Sequence, residues 1–197
     1  MVGSSEGSAL ANGSLPSSPP TRYVGGRIGW SGSALTVGIA AAQRKYALQT
    51  PVGTIGLLTF IPAAVAQPGD TQKNYNGYVT YKFAYATLSA SYDQERLRDL
   101  RENVSTIGAI VPIGLTEIHA GYERSTLKNS TGPGSSNTVD QIKLGAVYNA
   151  SKRTAVYTTL TRLDNKDQSR LTLSGNAAPT TPGGHSQGME IGLRHFF

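Results

Sequence analysis

The sequence predicts an all-β protein, an antiparallel up-and-down transmembrane β-barrel with about nine strands present. Three observations support this fold class. Apolar residues alternate with polar or small residues along segments of about 10–12 residues, the length of a tilted strand that crosses an outer membrane. The connections between segments are alternately short and longer, as in a barrel with turns on one side and loops on the other. The chain ends on an aromatic residue, Phe197, directly after such a segment.

The C-terminal segment, residues 186–197, shows the alternation most clearly. One side is mostly apolar and carries Met189, Ile191, Leu193, His195 and Phe197. The other side is mostly polar or small and carries Glu190, Gly192, Arg194 and Phe196. An apolar strand at the edge of a soluble sheet can pair with other chains. In a membrane barrel the last strand pairs with the first, and aromatic residues lie at the bilayer boundary.

The remaining elements follow in chain order. Residues 1–20 are rich in Ser, Gly and Pro and predict a loop or a disordered segment. The alternation predicts strands over residues 21–31, 34–44, 71–83, 85–93, 103–112, 115–124, 137–149, 153–163 and 186–197. Connections are expected at about residues 46–71, 94–102, 127–136 and 164–185, of which the first and last are the long loops. The barrel domain therefore covers residues 21–197.

The most apolar stretch, residues 55–66, is shorter than the roughly 18 residues of a spanning helix, and Pro62 interrupts it. We interpret it as a loop or an inserted hairpin, and the sequence gives no physical reason for its apolarity. The N terminus carries neither the basic nor the apolar part of a signal peptide. We therefore expect either that the chain is not exported or that its beginning is missing.

Composition narrows the functional class. Charged residues are 15% of the chain and apolar residues 38%, which fits neither a solvated disordered chain nor a helical membrane protein. The absence of cysteine excludes a disulfide framework and a thiolate metal site. The net charge of +6 raises the question of a nucleic-acid ligand. The basic residues are scattered along the chain, with no run longer than the pairs Arg44-Lys45 and Lys152-Arg153, so we expect no nucleic-acid partner.

The second face of the predicted sheet is suited to water. In the strand over residues 85–93 it consists of Thr87, Ser89 and Ser91. Charged side chains are costly in lipid but can set a field across a water-filled pore. The candidate pore-lining residues are Arg27, Lys82, Glu117, His119, Glu123, Lys143, Arg162, Glu190 and Arg194. The basic members would bias permeation toward anions, although simple solvation of a wet wall explains each residue equally well.

The face of the strand that holds Arg162 is ambiguous, because Arg162 shares its parity with Val156 and Leu160. Candidates for the assembly signal and the aromatic girdle are Met189, Ile191, Leu193, Phe197, Tyr148, Tyr157 and Trp30. The three histidines form neither a catalytic triad nor a metal-ligand cluster in the sequence. We therefore expect no enzymatic activity, catalytic residue, cofactor or metal.

Four stretches resemble the general porins of β-proteobacteria, which belong to the trimeric, sixteen-stranded Gram-negative porin family. They are YVGGRIGW at residues 23–30, IGAIVPIG at 107–114, LGAVYNASKRTAVYTT at 144–159 with LDN at 163–165, and EIGLRHFF at 190–197. The resemblance covers residues 21–45 and 72–197 and corresponds to the C-terminal portion of such a porin.

This resemblance implies a location in the Gram-negative outer membrane, in contact with its lipid. It also implies passive diffusion of small hydrophilic solutes and ions through a water-filled barrel, and a homotrimer for the full-length protein. The C-terminal Phe197 resembles the signal read by the barrel-assembly machinery.

Other functions remain open at this point. One is a small, non-conducting outer-membrane barrel with a structural or adhesive role, and another is a non-functional truncated porin. A soluble ligand-binding β-domain is disfavoured, because its apolar face would need a second layer. Each unsatisfied backbone group at an open sheet edge costs several kcal/mol in hydrocarbon. We therefore expect that the chain alone does not form a functional porin and must close into a smaller barrel, pair with a second chain or misfold.

Overall fold

The computed structural model describes residues 2–4, 22–46, 50–51, 65–129, 136–173 and 181–197, and every regular element in these ranges is a β-strand. In chain order the strands are β1 (Val2–Ser4), β2 (Arg22–Ser31), β3 (Leu35–Lys45), β4 (Thr50–Pro51), β5 (Val65–Ala66), β6 (Thr71–Lys82), β7 (Thr87–Leu97), β8 (Leu100–Ile113), β9 (Thr116–Asn129), β10 (Ser136–Asn149), β11 (Thr154–Lys166) and β12 (His185–His195). Within the described ranges, no helix has the length and apolar character needed to cross a membrane.

Ten of these strands form one antiparallel sheet in the order β1-β2-β3-β6-β7-β8-β9-β10-β11-β12. Its nine long strands confirm the predicted all-β, up-and-down fold class. β1 was not predicted: it lies in the segment interpreted as a loop and pairs with β2 through Val2↔Val24 and Gly3↔Tyr23. Strands pair through backbone groups, so a Ser- and Gly-rich segment can extend a sheet edge without apolar side chains.

The connections divide the sheet into two sides. On the turn side, strands are joined by residues 32–34, 83–86, 114–115 and 150–153. On the loop side they are joined by residues 46–70, 98–99, 130–135 and 167–184. Gly114 adopts a φ of 61°, which is the left-handed conformation that a two-residue hairpin turn requires. Three of the four loop-side connections are longer than every turn-side connection, as the predicted alternation requires.

The exception is the connection between β7 and β8. Residues 94–102 were predicted to form a charged loop, but they are strand ends joined by the two-residue turn Arg98-Asp99. Leu97 pairs with Leu100 beside this turn and is buried, and Arg98 takes a φ of 52°. Strands can extend into water beyond the apolar band, so charged side chains do not mark the end of a strand.

The apolar stretch at residues 55–66 is described only at its end. Val65–Ala66 pairs antiparallel with Thr50–Pro51 in a separate two-stranded sheet, which is the pairing expected at the base of an inserted hairpin. Residues 52–64 lie outside the described ranges, so the interpretation of the rest of this stretch stays a prediction.

Cross-strand partners share a face, so the register defines two faces for the ten-stranded sheet. The apolar face is defined by a row of partners that is apolar from β3 to β12: Leu35, Tyr81, Leu88, Ala109, Ala120, Leu144, Leu160 and Met189. The polar face is defined by a neighbouring row from β2 to β12: Ser31, Thr36, Thr80, Ser89, Gly108, Gly121, Lys143, Thr161 and Gly188.

The apolar face is exposed over its whole width. Ile28, Ile191 and Leu193 expose 71%, 68% and 67% of their surface, and no second layer of the described chain covers them. A soluble sheet has to bury such a face against another layer. In a bilayer the lipid tails cover it, and this is the sheet-level reason for a membrane location.

Candidate pore wall

The middle of the polar face is lined by small and hydroxyl-bearing side chains. In the row that defines this face, Lys143 is the single charged residue among serines, threonines and glycines. Hydroxyl groups can exchange hydrogen bonds with water at every position, and glycines leave the backbone itself accessible. The row is therefore a narrow hydrophilic strip that runs across the sheet.

Eight of the nine candidate pore-lining residues lie on this polar face. The register places them on β2, β6, β9, β10 and β12: Arg27, Lys82, Glu117, His119, Glu123, Lys143, Glu190 and Arg194. They do not form one cluster. Lys82, His119 and Glu190 lie along one register row near the turn side, and Arg27 and Glu123 lie nearer the loop side.

Arg162 is the exception, and its placement corrects the prediction. It pairs with Ile142 on one side and Gln187 on the other, which puts it on the apolar face. Its guanidinium forms an ion pair with Asp164, with 2.9 Å between Nη2 and Oδ1. Both residues lie at the loop-side end of the strand, where the apolar face ends and charged residues begin. Arg162 is therefore not a candidate for the pore wall.

The candidates for the assembly signal and the aromatic girdle also divide between the two faces. Trp30, Tyr148, Met189, Ile191 and Leu193 lie on the apolar face, and Phe197 follows β12 with its side chain fully exposed. Tyr157 does not: it pairs with Val147 and Gly192 on the polar face, so its assignment to the girdle is wrong. Its ring lies over Gly192, where an added Cβ would approach the ring to 2.3 Å.

Hydrogen bonds fix several polar-face side chains near the turn side. His119 Nε2 lies 3.2 Å from Glu117 Oε2, and the Asn149 amide donates to the other Glu117 oxygen at 3.4 Å. Tyr157 donates its hydroxyl proton to Glu190 Oε1 at 3.2 Å. The carboxylates at this side are therefore held in place by neighbours on the same face and remain in contact with solvent.

The polar face is close to electrically balanced. Its basic strand residues are Arg27, Arg44, Lys82, Lys143 and Arg194. Its acidic strand residues are Asp93, Glu95, Glu102, Glu117, Glu123 and Glu190. The positive net charge of the chain is therefore not located on this face, and the charges described here do not favour anions.

An apolar cluster covers part of the polar face at the loop side. Leu127, Val139 and Leu163 are buried there, and Leu171 and Leu173 of the connection after β11 pack against them. The segment Asp167–Leu173 therefore folds over the polar face. Residues 164–185 were predicted to form one long loop, and the sequence did not predict this folded segment. The available signal was three apolar residues, Leu127, Val139 and Leu163, at polar-face positions.

Asn165 anchors the folded segment. Its side-chain amide donates to the carbonyl oxygens of Leu171 and Gly184 at 3.0 and 2.8 Å, and its Oδ1 accepts from the Leu171 N–H at 2.7 Å. Leu173 N–H donates to Ser186 Oγ at 3.3 Å. The C-terminal part of the segment is therefore tied to β11 and β12.

Comparison with known proteins identifies the family. The family model described as "Gram-negative porin" matches residues 1–168. The chain belongs to the Gram-negative porin family. It is 33% identical over 188 residues to "Outer membrane porin protein 32" of Delftia acidovorans, and the match covers 89% of this chain and 46% of that protein. Family and relative place the chain in the Gram-negative outer membrane.

Solved porin structures share the fold. The sheet superposes on an "anion-selective porin from Comamonas acidovorans" with a TM-score of 0.68 and 26% identity, over 89% of this chain and 49% of that one. It also superposes on OmpT of Vibrio cholerae with a TM-score of 0.65 and 17% identity, over 92% of this chain and 57% of that one. This chain thus spans about half the length of the relatives it matches.

Proposed function

We propose that the polar face is part of the wall of a water-filled barrel through which small hydrophilic solutes and ions diffuse passively across the outer membrane. The observation that carries this proposal is the pair of neighbouring register rows, one apolar across eight strands and one small and polar across nine. A lipid-facing wall and a water-facing wall on the same strands are what a porin requires.

The charge distribution supports a modest ion preference from this part of the wall. Five basic and six acidic strand residues face the proposed lumen, so their fields largely offset one another along the permeation path. The segment Asp167–Leu173 would narrow the loop-side mouth. Size exclusion is therefore the main selectivity that these residues contribute.

Conduction requires the two sheet edges to be closed. In the described chain β1 and β12 are the edges, and each has a strand partner on one side. Unpaired backbone groups are costly in hydrocarbon, so further strands or a second chain would complete the barrel. The full-length homotrimer expected from the family resemblance is consistent with this requirement.

Cysteine labelling tests the assignment of the two faces. The chain contains no cysteine, so single substitutions give a clean background. Leu160→Cys and Thr161→Cys are adjacent in sequence and lie on opposite faces of β11. We expect a charged, membrane-impermeant thiol reagent to label Thr161→Cys in vesicles, and a lipid-soluble reagent to label Leu160→Cys. Equal labelling of both positions by the charged reagent would contradict the proposed wall.

Conductance across planar bilayers tests the activity itself. Where the inserted chain conducts, we expect charged-reagent modification of Thr161→Cys to lower the conductance, with Leu160→Cys as the control. Correct labelling without any conductance would favour the non-conducting barrel instead.

We also propose that the exposed Phe197 is read by the barrel-assembly machinery. Phe197→Ala should lower the amount of inserted chain, and Phe196→Ala is the matched control. Phe196 is the adjacent aromatic residue, and the guanidinium carbon of Arg194 lies 5.6 Å from the centre of its ring.

A further inference from the structure

The net positive charge of the chain is concentrated outside the proposed pore, at the loop-side end of the apolar face. Nine basic residues share this face: Arg22, Lys45, Lys73, Arg96, Arg101, Arg124, Lys128, Arg162 and Lys166. Two acidic residues, Asp140 and Asp164, accompany them. The polar face is nearly neutral, so the basic excess points away from the lumen.

Four of these residues form an uninterrupted row across four strands. Lys73 pairs with Arg96, Arg96 pairs with Arg101, and Arg101 pairs with Lys128. Neighbouring strands are about 4.8 Å apart, so the four charged side chains start within about 14 Å of one another. All four are exposed. We call these four residues the cationic row.

Directly opposed like charges destabilise a sheet. No acidic residue shares the apolar face with the cationic row on its four strands, because Glu95 and Glu102 lie on the polar face. Within the described chain, none of the four side chains takes part in a salt bridge. The sheet therefore holds a cluster of positive charge that its own side chains do not neutralise.

Other basic residues of the same face, on β9 and β11, show the contrasting arrangement. Arg124 forms two bonds with Asp140, from Nε at 2.7 Å and from Nη2 at 3.0 Å, and Lys166 Nζ lies 2.5 Å from the same carboxylate. There the basic residues are neutralised from within the protein. The cationic row lacks such a carboxylate and requires an anion from outside.

The surface below the row is polar and linked by hydrogen bonds. Asn103 Oδ1 accepts hydrogen bonds from the Tyr92 hydroxyl at 2.8 Å, from Gln94 Nε2 at 2.8 Å and from Arg101 Nε at 3.0 Å. Arg101 is thus held through Nε, and its side chain remains exposed. Gln94 is buried although it lies on the apolar face.

The position along the strands identifies the source of the anion. Tyr75 and Tyr92 end the apolar band on the loop side of β6 and β7, and tyrosines lie at the headgroup level of a membrane. Lys73 lies two residues beyond Tyr75, about 7 Å along the strand. The cationic row is therefore at the depth of lipid phosphates and faces the lipid.

We propose that the cationic row binds the phosphate groups of lipid headgroups in the leaflet on the loop side. Each phosphate would sit between neighbouring basic side chains and accept charge-assisted hydrogen bonds from them. Lipid would thereby supply the negative charge that offsets the opposed like charges of β6 to β9. This proposal does not depend on whether the polar face conducts.

Lipid binding by the full chain in zwitterionic detergent tests the proposal, with phosphatidic acid and phosphatidylcholine of the same acyl chains as probes. We expect the chain to prefer phosphatidic acid at least tenfold, and the preference to fall as salt rises. The double substitution Arg96→Gln, Arg101→Gln should weaken phosphatidic acid binding about 30-fold, because it removes two basic residues that each attract the anionic lipid surface. Arg27→Gln with Arg44→Gln is the matched control, because it removes the same charge from the polar face.

Melting temperatures give a second readout. Without phosphatidic acid, the Arg96→Gln, Arg101→Gln variant should melt no lower than the unmodified chain, because opposed like charges are removed. Phosphatidic acid should raise the melting temperature of the unmodified chain more than that of the variant. A purely structural role would lower the melting temperature of the variant in both conditions.

Four outcomes would overturn the proposal. Equal affinity for the two lipids would mean that the row does not recognise an anionic phosphate headgroup, because the choline cation of phosphatidylcholine offsets the charge of its phosphate. An equal loss in the polar-face control would show a nonspecific charge effect. Displacement of the lipid by inorganic phosphate at the same concentration would show a site for a free anion. A change of oligomeric state without lipid preference would show a contact between copies of the chain.

Discussion

Replacement of Asn165 by alanine should release the segment Asp167–Leu173 from the polar face while leaving the sheet intact. The Asn165 side chain makes three hydrogen bonds to the connection after β11, two as donor and one as acceptor. It is 4% exposed, so water does not replace these bonds without local opening. The backbone groups of Leu171 would lose their partners at the same time.

The magnitude follows from the bonds removed. At about 1 kcal/mol net for each of three hydrogen bonds, the closed arrangement loses about 3 kcal/mol. This corresponds to an increase of about 150-fold in the open fraction of the segment. The backbone pairing of β11 with β10 and β12 does not use the Asn165 side chain, so the segment should open locally and the strands should stay paired.

Trypsin cleavage after Arg170 measures the opening, because Arg170 is exposed and lies outside the strands. When reclosing is faster than cleavage, the rate follows the population of the open form. We expect cleavage at Arg170 to accelerate by up to about 150-fold in Asn165→Ala. Asn149→Ala is the control: this asparagine lies at the turn side and makes a single long bond to Glu117.

Two results would refute this reasoning. A change of less than about threefold at Arg170 would mean that Asn165 does not hold the segment, since even one lost bond predicts more. Acceleration at sites throughout the chain would mean that the substitution unfolds the sheet. Strand content, measured by circular dichroism, separates local from global opening.

Two further predictions test the faces and the loop side. Thr158→Arg, on the apolar face, should destabilise insertion by about 2–4 kcal/mol, whereas Thr159→Arg on the polar face of the same strand should change it little; equal losses in lipid-vesicle unfolding would contradict the assigned faces. Arg98 forms an ion pair with Asp70 and holds the pKa of Asp70 below its usual value near 4. The pair therefore stabilises the fold at neutral pH, and this stabilisation is lost as the pH falls through the lowered pKa. Asp70→Asn should therefore lower the urea midpoint at pH 7 and have a smaller effect at low pH, and a difference that grows in acid would be incompatible with this pair.

Strand alternation predicted most of the fold. The apolar positions Met189, Ile191 and Leu193 of the last strand lie together on the exposed face, as the period of two requires. The same alternation placed eight of nine candidate lumen residues on one face. This worked because a strand that separates lipid from water must keep each residue class on its own side.

Strand ends were harder to predict. Residues 94–102 carry many charges and were interpreted as a loop, yet they form paired strands with a two-residue turn. Alternation reports which side chains share a face, and it does not report where the membrane ends. Arg162 was misplaced for the same reason. A strand that continues beyond the apolar band can carry a charged side chain on its lipid-facing side.

The sequence by itself determined that the chain is a membrane-type β-sheet with one apolar and one polar face, because side-chain direction along a strand is a local property. Only the tertiary structure decided how neighbouring strands are aligned, because register depends on pairing between distant segments. That alignment placed Tyr157 over Gly192, folded Leu171 and Leu173 onto the polar face, and joined Lys73, Arg96, Arg101 and Lys128 into one row.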